Sequence, residues 1–357
     1  MIQEWTFNKS GNESFEKIAE FRKNFPPVPI KCCVPEYYRW KCLDNLTHQG
    51  HIWLAEANDK IVASASMTQK SMNILGKEVP AAETGDTYTL SEYQGKGIFT
   101  ELVKRTTRES LDKKISFIYG LPNANSSPGY KKKLNYDVIP SVQLFSMYRP
   151  LNIKLALKQR FRNSLLATVL SPILEIISKI IFKVNAVAIG KKYFSVSESS
   201  TFPDDINSVW DCSSKNYDII LRRSKKYLVW RYITVPDSYI ILNATNTNGE
   251  FLGYIVGKIT DQQGYRTGSI ADFLTIEDDA NIFKRLALTL TDIFNENKVD
   301  TITTWVVKRS IYYRTLLKLG FRTGAQIPVI CYKNKLGNQI IKGAYRWHFT
   351  LGDSDNI

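Results

Sequence analysis

The feature that most narrows what this chain can fold into is that it is written twice. "YYRWKCLDNLTHQGHIWLAEANDKIVASASM", from Tyr37, runs parallel to "KYLVWRYITVPDSYIILNATNTNGEFLGYIV", from Lys226. Each has an aromatic cluster, then Trp40-Lys41 or Trp230-Arg231, a polar break, and two alternating apolar runs around a turn. The turns, Ala57-Asn58-Asp59-Lys60 and Asn246-Thr247-Asn248-Gly249, predict β-hairpins. Each half then reads strand, helix, strand (Thr84 to Tyr119 and Ser269 to Val307), and ends on "GYKKKLNYDVI" from Gly129 or "YYRTLLKLGFRTG" from Tyr312. Four features in one order at nearly constant offset imply a tandem duplication of a mixed α/β domain. A chain of 357 residues is long enough for two such cores.

The halves part company at "TGDTYTLSEYQGKGIFTELVKRTTRES", Thr84 to Ser110. Thr87-Tyr88-Thr89-Leu90 reads as a strand that stops at Ser91. Ile98, Leu102, Val103 and Thr106, with Glu101, Lys104, Arg105 and Arg108 on the other side, predict an amphipathic helix. Between them, Gly95 and Gly97 open backbone angles closed to other residues and leave no side chain in the way. A helix starting there aims unpaired N–H groups and its positive dipole end at one spot, which suits a phosphate or pyrophosphate. The segment lacks G-x-x-x-x-G-K-[ST], and it lacks the third glycine of a dinucleotide fingerprint. A plain tight turn is the competing explanation.

A net charge of +14 favours anionic partners, with local clusters at Lys131-Lys132-Lys133, Arg222-Arg223 and Lys225-Lys226. No zinc-finger, RNP-like or basic-zipper pattern accompanies it, so nucleic acid is not the expected partner. Five cysteines and three histidines show no metal-ligand spacing, which argues for a reducing, cytoplasmic setting without structural zinc. Met1 to Glu20 has no signal-peptide pattern.

Residues 150–192 fit neither repeat. Apolar positions 166, 169, 170, 173, 174, 177, 180, 181 and 184 keep helical spacing, Glu175, Lys179 and Lys183 lie on another face, and Lys154, Lys158, Arg160 and Arg162 precede them. The charges and Pro172 argue against a membrane span. Such a helix packs against the two domains or a second copy of the chain, the favoured reading, or lies on an anionic bilayer, at the inner face of the membrane.

The order of hairpin, strand, Gln94-Gly95-Lys96-Gly97, helix, strand and tyrosine-bearing ending resembles the GNAT acyltransferase superfamily, most specifically from Thr84 to Tyr136. Asn135-Tyr136 stands where that family usually has Gly-Phe. The resemblance implies a mixed α+β fold of two tandem GNAT-like domains, each a mostly antiparallel central sheet flanked by helices. We expect an N-terminal domain at 1–149, the insert at 150–192, and a C-terminal domain at 193–357. It also implies that the Gln94 to Gly97 turn, with Thr89, Leu90, Ile98 and Phe99 around it, cradles the pyrophosphate of coenzyme A. The second half has "FLTIEDDANIFKRLALTL" there, with no glycine and with Glu277, Asp278 and Asp279, and is expected not to bind acyl-CoA.

By the same resemblance, a splayed strand, Thr87 to Leu90, offers a backbone N–H to the thioester oxygen, with Leu90 the expected donor. Tyr130 falls at the position of the family's general acid, or else packs under its helix. Asn123 either bonds the pantetheine arm or orders its loop. Glu83 is the expected general base and Asp86 its rival; three apart on one strand, they should point to opposite faces. The tail, Trp347 to Ile357, starts with aromatics that suggest docking, in which case Asp353, Asp355 and the terminal carboxylate reach the acceptor; the alternative is a solvated end. Tyr37, Tyr38 and Trp40 lie where the family's first helices flank the acceptor, for stacking or for core packing.

The expected function is an acetyl-CoA-dependent N-acetyltransferase, cytoplasmic, metal-free, with a small-molecule amine acceptor. The tandem arrangement resembles GNAT proteins of surface-polysaccharide gene clusters, which points to an amino sugar. The alternatives are a Fem-like aminoacyl transferase and a non-catalytic membrane-surface assembly factor; a homodimer is compatible with each.

Overall fold

The computed structural model describes residues 5–26, 28–46, 50–160, 169–177, 180, 184 and 194–355. The first sheet runs β1 (Thr6–Lys9), β2 (His51–Ala57), β3 (Lys60–Ile74), β4 (Lys77–Thr89), β5 (Phe117–Gly120), β15 (Ile330–Tyr332) and β6 (Tyr136–Val138). The second runs β14 (Arg322–Ile327), β7 (Leu144–Pro150), β13 (Thr301–Val307), β12 (Tyr265–Thr275), β11 (Phe251–Gln262), β10 (Ile240–Asn246) and β8 (Phe194–Ser199). A short β9 (Ile219–Leu221) pairs with the far end of β3, and β16 (Trp347–His348) pairs with β9. Pairing is antiparallel except at β4–β5, β12–β13 and β9–β16.

Local chemistry explains the repeated parts. Asn58 and Asp59 take φ of 50° and 60°, the left-handed pair that a two-residue hairpin needs. The helix Ile98–Asp112 turns Ile98, Leu102, Val103 and Thr106 inward, as their spacing predicts. The helix Ala280–Glu296 does the same in the second half with Ile282, Phe283, Leu286, Leu290 and Phe294.

The two sheets exchange strands. β7, from before the insert, lies between β13 and β14, and β15, from the second half, lies between β5 and β6. A cut at residue 149 therefore does not separate the sheets, because the hydrogen bonds of β7 are made to the second one.

The halves also share a core. Trp40 and Trp230, at the same position of the repeat, stack with ring centroids 4.5 Å apart and planes 10° from parallel. Each indole N–H donates to the other's backbone carbonyl, Trp40 Nε1 at 2.8 Å and Trp230 Nε1 at 3.2 Å. Tyr37 stacks on Trp40, and Tyr38 donates its hydroxyl to the Cys32 carbonyl. Tyr37, Tyr38 and Trp40 are all buried, which corrects their expected place at the acceptor in favour of core packing: Trp40 packs against the second half, and the two tyrosines pack beside it. Truncating Trp40 would leave a cavity and strand the Trp230 carbonyl. Trp40→Ala is expected to cost about 3–5 kcal/mol in urea unfolding, and a loss below about 1 kcal/mol would remove the stack from this role.

Candidate active site

After β4 the chain makes one 3-10 turn, Ser91–Tyr93, and the Gln94 side-chain amide donates back to the Thr89 carbonyl at 3.1 Å. Gly95 and Gly97 take φ of 76° and 84°, and a Cβ on either would meet nothing within 4 Å. Conformation, not crowding, selects glycine there. The helix then begins at Ile98, so the N–H groups of its first turn face a cleft of about 170 Å³ lined by Thr89, Gln94, Gly95, Gly97, Phe99 and Lys133. Ile98 is buried beneath the cleft. The Lys96 ammonium sits over the rings of Tyr93 and Trp5 at 5.1 and 5.9 Å.

At the matching place in the second half the chain caps its own helix start. Asp279 Oδ1 accepts from the N–H groups of Asn281 and Ile282 at 2.7 and 3.0 Å, and Asp278 accepts from Asn216 and Tyr312. A carboxylate already occupies the helix start.

β4 and β5 pair in parallel from Ala81↔Phe117 to Thr84↔Gly120 and then separate. In the same stretch β4 bulges against β3: Gly85 is opposite Ser66, Tyr88 is opposite Ser64, and Asp86 has φ of 46°. The extra residue breaks the alternation, so Glu83 and Asp86 line one pocket instead of pointing to opposite faces. The Leu90 N–H is donated to the Val62 carbonyl at 3.0 Å, which corrects its expected role at the thioester. By the alternation of an antiparallel ladder, the Thr89 N–H turns the other way, toward the splay.

The pocket at the mouth of the splay is about 330 Å³ and is lined by Glu83, Asp86, Asn123, Tyr130 and Asp355, with Trp305 and Ile327 from the second half. Tyr130 is buried, packs edge-on against Phe99, and shares a 3.1 Å hydrogen bond with the Thr84 hydroxyl. Burial pushes its pKa up to about 12, so the phenol keeps its proton near neutral pH. Asn123 orders its loop, with Oδ1 accepting from the N–H groups of Asn125 and Ser126.

Beneath the pocket lies a buried ion cluster. Lys41 Nζ reaches Asp86 at 2.5 Å and Asp355 at 2.9 Å, and Lys70 Nζ reaches Glu83 at 2.5 Å and Asp355 at 3.2 Å. Glu83 also accepts from the Ser354 hydroxyl and the Asp355 N–H, at 2.9 and 3.0 Å. Burial pushes the Glu83 pKa up to about 7, partly offset by Lys70 and reinforced by the Asp355 charge. Burial works against Asp355 too, but Lys41, Lys70 and Arg231 outweigh it and hold that carboxyl well below its usual range.

The tail docks as its aromatic start suggests, with Trp347, His348 and Phe349 buried. Asp355 arrives at the pocket. Asp353 does not: its carboxylate is taken by Arg223, at 2.8 and 3.0 Å, and by the Thr350 N–H, so it anchors the tail. The terminal carboxylate lies outside the described residues. Sequence reasoning missed Lys70, Ser354, Trp305 and the ionic role of Lys41. One signal was present: Ser64, Ser66, Thr68 and Lys70 form a polar face on β3, and each hydrogen-bonds Asp86, Glu83 or Asp355. Among the described residues no His, Cys, Asp and Glu group is arranged to hold a metal ion.

Residues 19–139 match the family described as Acetyltransferase (GNAT) domain. No curated protein matches the chain at a significant level. Among solved structures, Saccharomyces cerevisiae N-myristoyltransferase with bound myristoyl-CoA aligns over 98% of this chain and 84% of its own, at TM-score 0.62 and 13% identity. A tandem GNAT protein from the clavulanic acid biosynthesis pathway aligns over 92% of this chain and 98% of its own, at TM-score 0.61 and 10% identity. A GCN5-related N-acetyltransferase from Anabaena variabilis ATCC 29413 aligns over 92% and 72%, at TM-score 0.57 and 12% identity. At such identities the structures speak to the fold, and the family match speaks to the N-terminal half. The family match makes residues 19–139 a GNAT domain, and the structural matches give the whole chain the fold of a tandem GNAT protein.

Proposed function

We propose that the protein transfers a short acyl group from coenzyme A, acetyl-CoA being the default donor, to a primary amine. One observation carries the reading: next to the two-glycine loop, a single pocket presents the carboxylates of Glu83, Asp86 and Asp355 together with the Tyr130 phenol. Anionic walls favour an ammonium acceptor, while the two lysines that balance them sit behind, fully buried. The Trp305 ring adds a flat apolar surface, and that mixture suits an amino sugar, the first acceptor to test, as in a surface-polysaccharide pathway.

Coenzyme A would bring the acyl group as an activated thioester. For the rest of the chemistry, the Thr89 N–H is the group in reach of the splay for polarising a carbonyl oxygen. Glu83, with a pKa near neutrality, is matched to accept the ammonium proton so that the amine can attack, and Tyr130 is placed to return a proton to the departing thiolate. The short-acyl reading rests on what fills the floor of the splay. Lys70, Glu83, Tyr119 and Ser354 are buried and bonded to one another or to the tail there, and a long chain needs an apolar channel to recover about 0.8 kcal/mol per methylene.

Calorimetric titration of acetyl-CoA tests the donor. Wild type should bind one equivalent. Gly95→Asp, a residue type that tolerates the left-handed region and has room there, should weaken binding at least about ten-fold through charge alone. Absence of wild-type binding would sink the reading and turn attention to aminoacyl-tRNA. With an acceptor in hand, Tyr130→Phe should lower kcat by about 10²-fold and leave KM nearly unchanged.

The Glu83 environment has a further readout that needs no acceptor. A carboxyl whose folded pKa is about 7 against an unfolded 4.5 stabilises the fold below pH 4.5, and that contribution is lost as pH rises through 7. Wild type should therefore lose stability relative to Glu83→Gln over this window, on the order of 3 kcal/mol in urea unfolding. A constant difference would mean that Glu83 does not hold a proton there.

A further inference from the structure

We propose that the segment between the halves docks the protein on an anionic phospholipid surface. Most of the large aliphatic side chains that the described residues leave exposed are gathered here: Val169 at 67%, Ile173 at 56%, Ile176 at 58%, Ile180 at 54% and Val184 at 62%. Residues 169–177, 180 and 184 are helical, and spacings of four, three, four and four put these five on one stripe. The helix is already held by another edge. Leu174 and Ile177 close a cavity of about 210 Å³ with Ile153, Ala156, Leu157 and Leu319. The outward stripe is thus a second apolar face, left over after the segment has packed on the protein, so packing against the protein, the reading favoured from sequence, covers only part of it.

Charge decides what covers the rest. Residues 150–192 carry eight Lys or Arg and a single acidic residue, Glu175, which is half of the chain's net charge of +14. Lys154 and Lys158 are exposed on the adjoining helix, Ile153–Arg160. Two copies meeting through this face would press like charges together. The stripe is also purely aliphatic, without the Trp, Tyr or Arg anchors that concentrate binding at protein interfaces. An aliphatic stripe on a strongly basic segment fits a bilayer with anionic headgroups, where the side chains enter the acyl boundary and the lysines meet phosphate. Among the described residues no helix is long and apolar enough to cross a membrane.

Vesicle flotation tests this on the full chain. Wild type should associate with vesicles of equal parts phosphatidylglycerol and phosphatidylcholine at least about ten-fold more than with phosphatidylcholine alone, and high salt should weaken the association. Ile173→Asp/Ile176→Asp should abolish it, with circular dichroism and unfolding unchanged because both positions are exposed. Lys154→Glu/Lys158→Glu should lose the preference for anionic vesicles. Failure of wild type to float with either vesicle would overturn the proposal. So would a dimer in sedimentation velocity that Ile173→Asp/Ile176→Asp dissociates, since that would name a second copy as the occupant.

Discussion

Four cations that cannot reach water, Lys41, Lys70, Arg223 and Arg231, determine how this molecule closes. A buried charge is tolerated only when paired and hydrogen-bonded, and the C-terminal segment supplies much of that pairing for all four. Lys41 and Lys70 meet the Asp355 carboxylate, Lys70 also meets the Asp353 carbonyl, Arg223 meets the Asp353 carboxylate, and Arg231 donates to the carbonyls of Gly352 and Ser354. The residues after Trp40 and Trp230 in the repeat, Lys41 and Arg231, thus grip the same strand of chain from its two sides. The Trp pair sets the halves in register, the cations hold the tail between them, and the tail delivers Asp355 to the pocket.

Much of this was legible in the sequence, and the rest failed for identifiable reasons. The duplication, both hairpins, the glycine loop and the inward face of Ile98–Asp112 are local or periodic features, and local chemistry fixes them. Leu90 was misjudged because which N–H faces the gap depends on the β3–β4 register, set by pairing with a distant residue, Val62. Asp86 was misjudged because one bulged residue inverts every face downstream of it. Tyr37, Tyr38 and Trp40 look the same in sequence whether they stack on a ligand or on another tryptophan, and only the partner half decides. The exchange of β7 and β15 leaves no periodic trace at all, since each strand reads as an ordinary strand of its own half.

The two halves differ by little at the start of their long helices. Both start a long helix after a central strand, and both place a tyrosine, Tyr130 or Tyr312, under that start. In one the first N–H groups are left open behind two glycines. In the other Asp279 caps them, and Tyr312 is bonded to Asp278 and Thr275. A carboxylate supplied by the chain fills the place that the other half leaves open.

The strand exchange also sets the order in which the molecule can come into being. On a growing chain, β5 and β6 of the first sheet wait with a vacant slot between them until residue 332 has been made, about two hundred residues after both neighbours. The pocket waits longer still for Asp355. The half that carries the glycine loop is therefore completed last, although it is synthesised first. An incomplete chain would carry a loop poised for an anion, open strand edges, and a cluster of lysines without their counter-charges.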